Sequence, residues 1–313
     1  MEVHFFFFGY THLKEVCMIK LDHLTKYYGK NKGIEDLSLK VNEGDIFGFI
    51  GPNGAGKSTT IRLLMNFIFP TSGRIEVFGK DLLTSNSDIR KRIGYLPSEV
   101  YYYDTVTVKE LLDYSGKLKK CHNPQYLKRL IEKFDLDTSR KFGQLSYGNK
   151  KKVGIVQAMM HQPDLLILDE PTNGLDPLVQ KTLLELLKEE NKKGTTVFFS
   201  SHTLSVVQKM CNRIGIIKDG QMINVETFDT FKEKRVKKIL VESKHFPDEL
   251  VKKSDISQLI QKDNQIEFYY SGSMNDLFGI ISKMDIDDFQ MNEPDLEEIF
   301  MHFYLGKEGS NES

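Results

Sequence analysis

A glycine-rich run that ends in lysine, serine and threonine carries the strongest chemical signal in this chain. The run consists of Gly51, Pro52, Asn53, Gly54, Ala55, Gly56, Lys57, Ser58 and Thr59. Glycines at these spacings let the backbone turn with positive φ and approach an anion without a Cβ in the way. In such a loop Lys57 contacts the β- and γ-phosphates of a nucleoside triphosphate, and the Ser58 hydroxyl ligates Mg²⁺. The run therefore predicts a phosphate-binding loop, and by itself it leaves kinase, GTPase and motor activities open.

The residues on either side of the loop supply the strand and the helix that phosphate binding requires. The apolar run Ile46–Ile50 predicts a buried strand before the loop, and apolar residues recur at helical spacing after Lys57. The free amides of the first helical turn and the positive end of the helix dipole then point at the phosphates. A glycine-rich turn with a surface lysine is the weaker interpretation, because the whole motif falls between a strand and a helix.

Two carboxylates follow a second predicted strand. Four apolar residues, 165 to 168, predict a buried parallel strand that ends at Asp169 and Glu170. Ligands bind at the carboxyl ends of strands in open α/β sheets, where Asp169 can hold Mg²⁺ through water and Glu170 can polarise an attacking water. Such a pair is often only a solvated strand end, but its place after a phosphate loop favours a catalytic role.

Residues 145 to 149, Leu-Ser-Tyr-Gly-Asn, stand shortly before the strand that leads to these carboxylates. Together with the phosphate loop and the acidic pair, they resemble the ATP-binding subunits of ABC transporters. The signature segment of that family, LSGGQ, is matched at Ser146 and Gly148, and its third and fifth letters differ here. The resemblance implies that Ser146 and Gly148 of one copy face the γ-phosphate held by Lys57 of another, although a serine before a helix is also a good N-cap.

Three further positions take their expected roles from the resemblance. Tyr28 is implied to stack on the adenine ring, with Tyr27 as the rival candidate. His202 is implied to contact the γ-phosphate and to orient the attacking water. Asp176 is implied to cross the dimer interface near the phosphate loop, although an aspartate before Pro177 can equally be a helix cap.

One departure from the family concerns a magnesium ligand. The family carries glutamine after the strand that reads Arg-Ile-Gly-Tyr-Leu-Pro here, and this chain has Ser98 followed by Glu99. A serine hydroxyl can still ligate Mg²⁺, and Glu99 is the alternative ligand after a small register change. A loop that only connects two elements remains open as a third interpretation.

The resemblance implies an α/β fold of the P-loop NTPase type. We expect an ABC cassette with a parallel core sheet, an antiparallel β subdomain and an inserted helical subdomain, followed by a small α/β tail. The predicted boundaries are an N-terminal extension at residues 1 to 17, a cassette at 18 to 224 with its helical subdomain at about 98 to 160, and an accessory domain at 225 to 313. The extension is expected to be loosely held, or to reflect an upstream choice of start codon.

The accessory domain is predicted to mix strands and helices. Strands are expected at residues 239 to 241 and 265 to 270, and helices at 274 to 284 and 295 to 300. No catalytic motif falls in this tail, and it resembles the tails of exporter-type ATPases for peptide antibiotics and multiple drugs. Support of a dimer, sensing of a substrate and simple stabilisation are all open as its role, and we rank dimer support first.

The charge balance and the cysteines exclude several classes of protein. The net charge of −1 argues against a nucleic-acid partner, because phosphate backbones demand clustered positive surface. Lysine-rich stretches at 149 to 152 and 231 to 238 are interpreted as solvated helix faces. The three cysteines are widely spaced and show no paired metal-binding spacing, which is typical of a reducing compartment.

No run of residues approaches the about 20 apolar residues that cross a bilayer as a helix. The resemblance therefore implies an integral-membrane permease on a separate chain, with this subunit cytoplasmic and peripheral on the inner face of the cell membrane. The implied reaction is hydrolysis of ATP, with Mg²⁺, to ADP and phosphate, which closes a homodimer or a heterodimer of ABC ATPases and drives an exporter. The alternative is a soluble ABC ATPase of translation or DNA maintenance, and a single cassette without heptads argues against it.

Overall fold

The computed structural model describes residues 17–120, 123–233, 237–243, 255–292 and 298. Of the predicted N-terminal extension, residues 1 to 16 lie outside these ranges, and Cys17 begins the first strand. The chain divides into two compact units, one of residues 1–46 and 58–199 and the other of residues 47–57 and 200–313. Residues 51–57 of the phosphate loop therefore group with the C-terminal part of the chain.

Helices and strands alternate along most of the described sequence. In chain order the elements are β1 Cys17–Tyr28, β2 Asn31–Asn42, β3 Ile46–Ile50, α1 Lys57–Leu64, β4 Ser72–Val77, β5 Lys80–Asp81, α2 Asn86–Lys91, β6 Ile93–Leu96, α3 Val108–Lys119, α4 Pro124–Lys133, α5 Tyr147–Met159, β7 Leu165–Asp169, α6 Pro177–Lys192, β8 Thr196–Ser201, α7 Leu204–Met210, β9 Arg213–Lys218, β10 Gln221–Thr227, α8 Phe228–Glu233, β11 Lys237–Ser243, β12 Ile256–Lys262, β13 Gln265–Tyr270, α9 Met274–Ile281 and β14 Ile286–Asn292.

An antiparallel sheet of four strands, in the order β2-β1-β4-β5, forms the predicted β subdomain. Leu21 of the central strand β1 pairs with Leu39 of β2 on one side and with Ile75 of β4 on the other. All three side chains are buried, because residues that face each other in an antiparallel ladder point to the same face of the sheet. The prediction of an antiparallel β subdomain is confirmed.

A six-stranded sheet has the order β10-β9-β3-β8-β7-β6. Strand β3 runs parallel to β9, and β6 runs parallel to β7. Every residue of β3, β7 and β8 is buried, as expected for parallel strands that are covered on both faces. The hairpin partner β10 pairs antiparallel with β9 at the edge, so the predicted core sheet is mixed with parallel strands in its interior.

Helices α3 to α5 lie within the predicted helical subdomain, and side chains fix where the first two begin. Thr107 and Glu110 form a reciprocal capping box at the start of α3, which satisfies two backbone amides. The Asn123 side chain accepts a hydrogen bond from the Tyr126 amide at the start of α4, where proline occupies the first turn. The third helix, α5, begins at the predicted signature segment.

Helix α5 packs closely on strand β6 because glycine replaces a side chain at two contact points. A Cβ placed on Gly94 of β6 would lie 2.1 Å from the Ala158 carbonyl oxygen of α5. A Cβ placed on Gly154 of α5 would lie 2.8 Å from Leu96 and 2.7 Å from Val100. The signature helix is therefore held directly against the strand that leads to Ser98.

The C-terminal part of the second unit contains a separate four-stranded sheet in the order β12-β13-β11-β14. Strands β13 and β14 both pair antiparallel with β11, so they run parallel to each other, and α9 connects them as a split β-α-β unit. Helix α9 covers one face of this sheet, with Leu277, Ile280 and Ile281 packed on apolar residues of β11 and β13. The predicted mixture of strands and helices is present, and α9 ends three residues before the predicted position 284.

The tail differs from its prediction at one lysine, and one predicted helix falls largely outside the described residues. The predicted last helix at residues 295 to 300 lies outside the described residues, apart from Glu298. The interpretation of residues 231 to 238 as a solvated helix face is wrong at its end, because Lys237 and Lys238 lie on strand β11. The Lys238 ammonium pairs with Glu267 at 3.1 Å and with Glu298 at 2.8 Å, and strand pairing explains why this lysine is half-buried.

Within the described ranges, no helix combines the length and the apolar character that crossing a bilayer requires.

Candidate active site

The phosphate loop has the backbone conformation that its sequence predicts. Gly54 and Gly56 adopt φ angles of 84° and 107°, which only glycine occupies without strain. Gly51 is buried, and a Cβ on it would lie 2.5 Å from the Ile217 carbonyl oxygen of β9. The Gly220 amide donates to the Ala55 carbonyl at 3.0 Å, so the hairpin of β9 and β10 supports the loop from outside.

Lys57 lies inside the curve of this loop. Its side chain is buried at 6% exposure, and Nζ donates to the carbonyl oxygens of Gly51 at 2.5 Å and Pro52 at 3.0 Å. The Gly51 amide donates in turn to the Ser201 carbonyl at the end of β8, at 3.4 Å. His202 follows Ser201 directly and is exposed, so the second unit brings the expected histidine next to the start of the loop.

The loop and the helix after it suit a nucleotide with bound Mg²⁺. Ser58 and Thr59 lie in the first turn of α1, where backbone amides have no acceptor within the helix. Asn53 and Gly54 are exposed, so the outer side of the loop is accessible to a ligand. Among the described residues, no group of three or more His, Cys, Asp or Glu residues converges.

Tyr28 fits the expected adenine contact better than Tyr27. The Tyr27 hydroxyl donates to Glu35 at 2.5 Å, which directs this side chain along the sheet. The Tyr28 ring is 43% exposed, and a Cβ on Gly33 would lie 2.9 Å from this ring and 3.2 Å from the Thr59 methyl group. The exposed ring and the first turn of α1 therefore approach the same glycine, and an aromatic ring there offers a flat face for a base.

Asp169 and Glu170 are held rigidly at the end of β7. Both residues are buried, with exposures of 3% and 8%. Glu170 adopts a φ of 46°, in the left-handed region, a conformation that costs on the order of 1 kcal/mol and is concentrated at functional sites. Burial and, to a smaller extent, the nearby charge of Asp169 together raise the pKa of Tyr95 to about 12. These carboxylates are therefore fixed groups and differ from a solvated strand end.

The signature segment presents an exposed helix tip. The Ser146 side chain caps α5 by accepting from the Asn149 amide at 3.4 Å, and both Ser146 and Tyr147 are exposed. A Cβ on Gly148 would lie 3.0 Å from the Gly174 carbonyl oxygen. The Tyr147 ring covers Gly174 so closely that a Cβ there would lie 2.0 Å from the ring, and Gly174 has a φ of 74°. The tyrosine that departs from the family sequence therefore packs on the turn that follows Glu170.

Asp176 is the N-cap of α6. One carboxylate oxygen accepts from the amides of Leu178 and Val179, both at 3.0 Å. Within one chain, the Asp176 side chain therefore acts as a helix cap, which is the alternative that the sequence left open. Asp176 is also exposed, so a contact across a dimer interface stays a prediction.

Lys151 contacts the loop at Ser98 and the end of β7, an arrangement that the sequence did not predict. The interpretation of residues 149 to 152 as a solvated face is wrong for Lys151, whose exposure is 1%. Its Nζ donates to the carbonyl oxygens of Pro97 at 3.1 Å, Ser98 at 2.8 Å and Asp169 at 3.4 Å. Burial lowers the pKa of Lys151 to about 8, and neighbouring carboxylates oppose this shift. Buried residues occupy almost the whole circumference of α5, so the helical period of its apolar residues does not distinguish Lys151 from its lysine neighbours.

Comparison with known proteins identifies the family. The family model described as ABC transporter matches residues 34–173. The bacitracin transport ATP-binding protein BcrA of Bacillus licheniformis is 35% identical over 308 residues, which cover 92% of this chain and 98% of that protein. This chain belongs to the ABC transporter ATP-binding subunits. As a member of that family it is an ATPase that serves transport, and the match along almost its whole length does not support the soluble alternative.

Solved structures of ABC transporter ATP-binding subunits have the same fold. One such subunit matches with a TM-score of 0.64 at 30% identity and covers 69% of this chain and 92% of its own. A dimeric ATP-binding cassette in a post-hydrolysis state, bound to ADP and Pi, matches with a TM-score of 0.59 at 25% identity and covers 67% of this chain and 98% of its own. The predicted fold class and the predicted ATPase activity are confirmed by these relatives.

Proposed function

We propose that this subunit hydrolyses ATP at the inner face of the cell membrane to drive the export of a peptide antibiotic or a compound of similar character. The observation that carries the proposal is the alignment with a bacitracin transport ATP-binding protein along 92% of this chain, accessory domain included. Export requires a pathway through the bilayer, and we propose that a permease on a separate chain supplies it.

Within each subunit, we propose that Lys57 and the loop amides hold the β- and γ-phosphates while Tyr28 stacks on adenine. Ser58, Asp169 and Ser98 are the residues that would hold Mg²⁺, which, when bound, offsets negative charge on the phosphate oxygens. The buried and strained placement of Glu170 supports a role as the group that accepts a proton from the attacking water. The water oxygen bonds to the γ-phosphorus, the bond to the bridging oxygen breaks, and ADP and phosphate leave.

We propose that two subunits complete each nucleotide site together. The exposure of Ser146 and its position at a helix N-terminus support this step, because backbone amides and the helix dipole there favour an anion. The dimeric relative bound to ADP and Pi adds support. His202, the exposed residue directly after β8, is proposed to contact the γ-phosphate and orient the water, and Asp176 to contact the partner subunit.

We propose that the permease docks on the helical subdomain. Tyr114 and Leu118 lie one turn apart on α3 and are both 63% exposed, and Tyr101 and Tyr103 are 78% and 83% exposed. Leu118 also lines a cavity of about 340 Å³ whose other walls include Tyr95, Pro97 and His161. Exposed aromatic side chains beside a cavity are typical of protein interfaces and suit an apolar helix end of the permease.

The test uses cells that produce this subunit together with the multi-span membrane protein that copurifies with it. Wild-type subunit is expected to raise the bacitracin concentration that stops growth, and Glu170→Gln to remove this protection. Leu118→Glu is expected to lose both protection and copurification, because a carboxylate buried in an apolar contact lacks a partner. Met291→Glu, at a 44% exposed position on β14, is the matched control and should keep both.

Different failures of this test point to different errors. Protection that survives Glu170→Gln would contradict ATP-driven export. Copurification with a membrane protein but no protection against any peptide antibiotic would contradict the proposed cargo class. Leu118→Glu protein that still copurifies and protects would contradict the docking surface.

A further inference from the structure

Three elements of the first unit meet at the side chain of Lys151. Its ammonium donates to two carbonyl oxygens of the loop after β6, those of Pro97 and Ser98, and to the carbonyl oxygen of Asp169 at the end of β7. Lys151 itself belongs to α5, the helix that begins at the signature segment. One buried group therefore connects the loop with the Ser98 position, the strand that carries the acidic pair, and the signature helix.

The contacts of Lys151 match the chemistry of an ammonium. A lysine carries three N–H donors and no acceptor, and it meets three carbonyl oxygens at 2.8 to 3.4 Å. With an exposure of 1%, the side chain is shielded from bulk solvent. The Tyr147 hydroxyl, from the same helix, also donates to the Ser98 carbonyl, at 3.4 Å. The loop at Ser98 is therefore held by two side chains of α5, with Lys151 as the inner and closer one.

We propose that Lys151 is a positioning residue for ATP hydrolysis. The inference rests on the proposed assignment of Asp169, Glu170 and Ser98 to the catalytic site. Lys151 fixes the backbone on which these side chains stand, and it links that backbone to the helix tip that faces the nucleotide of the partner subunit. Its three hydrogen bonds go to the backbone that carries Ser98 and the acidic pair, so we expect it to act on the chemical step and to leave nucleotide binding to Lys57.

Replacing Lys151 with methionine removes the ammonium and keeps a side chain of similar length. The expected result is a kcat for ATP at least about tenfold lower than that of wild type, with a KM for ATP within about twofold, because misplaced catalytic groups slow the chemical step and leave nucleotide binding intact. The Mg²⁺ concentration for half-maximal activity is expected to rise by about fivefold, since the carbonyls that set Ser98 and Asp169 lose their donor. Lys152→Met, at the next position of the helix, is the matched control and should change none of these values.

Two further measurements separate positioning from general damage. Lys151→Gln retains amide donors on a shorter stem and is expected to restore kcat to within about threefold of wild type. Amide hydrogen exchange at Ser98, Glu99, Asp169 and Glu170 is expected to speed up in Lys151→Met and to stay unchanged in Lys152→Met.

The proposal is overturned if Lys151→Met keeps the wild-type kcat, or if its KM for ATP rises as much as its kcat falls. It is also overturned if Lys151→Gln is as slow as Lys151→Met, because charge rather than donation to the carbonyls would then be required. Glu170→Gln serves as the reference in the same assay. If Glu170→Gln retains full activity, the proposed assignment of the catalytic site is contradicted. If Glu170→Gln is inactive and Lys151→Met keeps the wild-type kcat, only the positioning role of Lys151 is contradicted.

Discussion

Glu170→Gln protein is expected to bind ATP and to hydrolyse it at least about 10²-fold more slowly than wild type. The change removes only the ability of this side chain to accept a proton from the attacking water, because an amide of the same shape cannot act as a base. Glu170 is buried at the end of β7 with a φ of 46°. We therefore do not expect a neighbouring side chain to move into its place and accept the proton instead. Phosphate release at saturating ATP and Mg²⁺ measures the loss, with ATP binding measured in parallel.

The same variant is expected to accumulate as an ATP-bound dimer that size-exclusion chromatography resolves from the monomer. Glu185→Gln, on the exposed face of α6, is the control and should hydrolyse ATP like wild type. Turnover by Glu170→Gln within twofold of wild type would show that another group accepts the proton.

Lys57→Ala protein is expected to lose ATP affinity by about a hundredfold, or about 2.7 kcal/mol, and to lose hydrolysis with it. Its ammonium is a fixed charge inside the phosphate loop, and loss of a single preorganised donor at a phosphoryl group typically removes this much stabilisation. The variant also loses the bonds from Nζ to Gly51 and Pro52, so the loop itself is expected to become more mobile. Titration of a fluorescent ATP analogue measures the affinity.

Lys188→Ala, at an exposed position of α6, is the control for removal of a lysine charge. A Lys57→Ala protein that binds ATP like wild type would contradict the assignment of the phosphate loop. The two catalytic variants thus separate two steps, since Glu170→Gln keeps binding and loses chemistry, whereas Lys57→Ala loses both.

The elements that carry the site could be predicted because their patterns are local. The phosphate loop needs glycines at fixed positions between a strand and a helix, and the acidic pair needs an apolar run before it. The backbone angles of Gly54 and Gly56 and the complete burial of β7 agree with those patterns. The helix cap formed by Asp176 could also be predicted from the sequence, because an aspartate before a proline is typical of a helix start.

The rest depends on contacts between segments that are distant in the chain. Three consecutive lysines look alike in the sequence, and only the packing of α5 on β6 shows that Lys151 points inward. The position of Tyr147 over Gly174 likewise depends on how the signature helix meets the turn after Glu170. The lysine-rich run around Lys238 has no clear period in the sequence, and only the pairing of β11 with β13 and β14 shows that Lys238 lies on a strand.

Mixing two inactive variants tests most directly whether two chains share each nucleotide site. Lys57→Ala protein retains its signature helix, and Ser146→Arg protein retains its phosphate loop, so only a mixed dimer contains one complete site. An equimolar mixture is predicted to regain up to about a quarter of wild-type ATPase activity, because half of the dimers are mixed and each has one of two sites intact. A mixture that is no more active than the sum of the two separate variants would contradict a site built from two subunits.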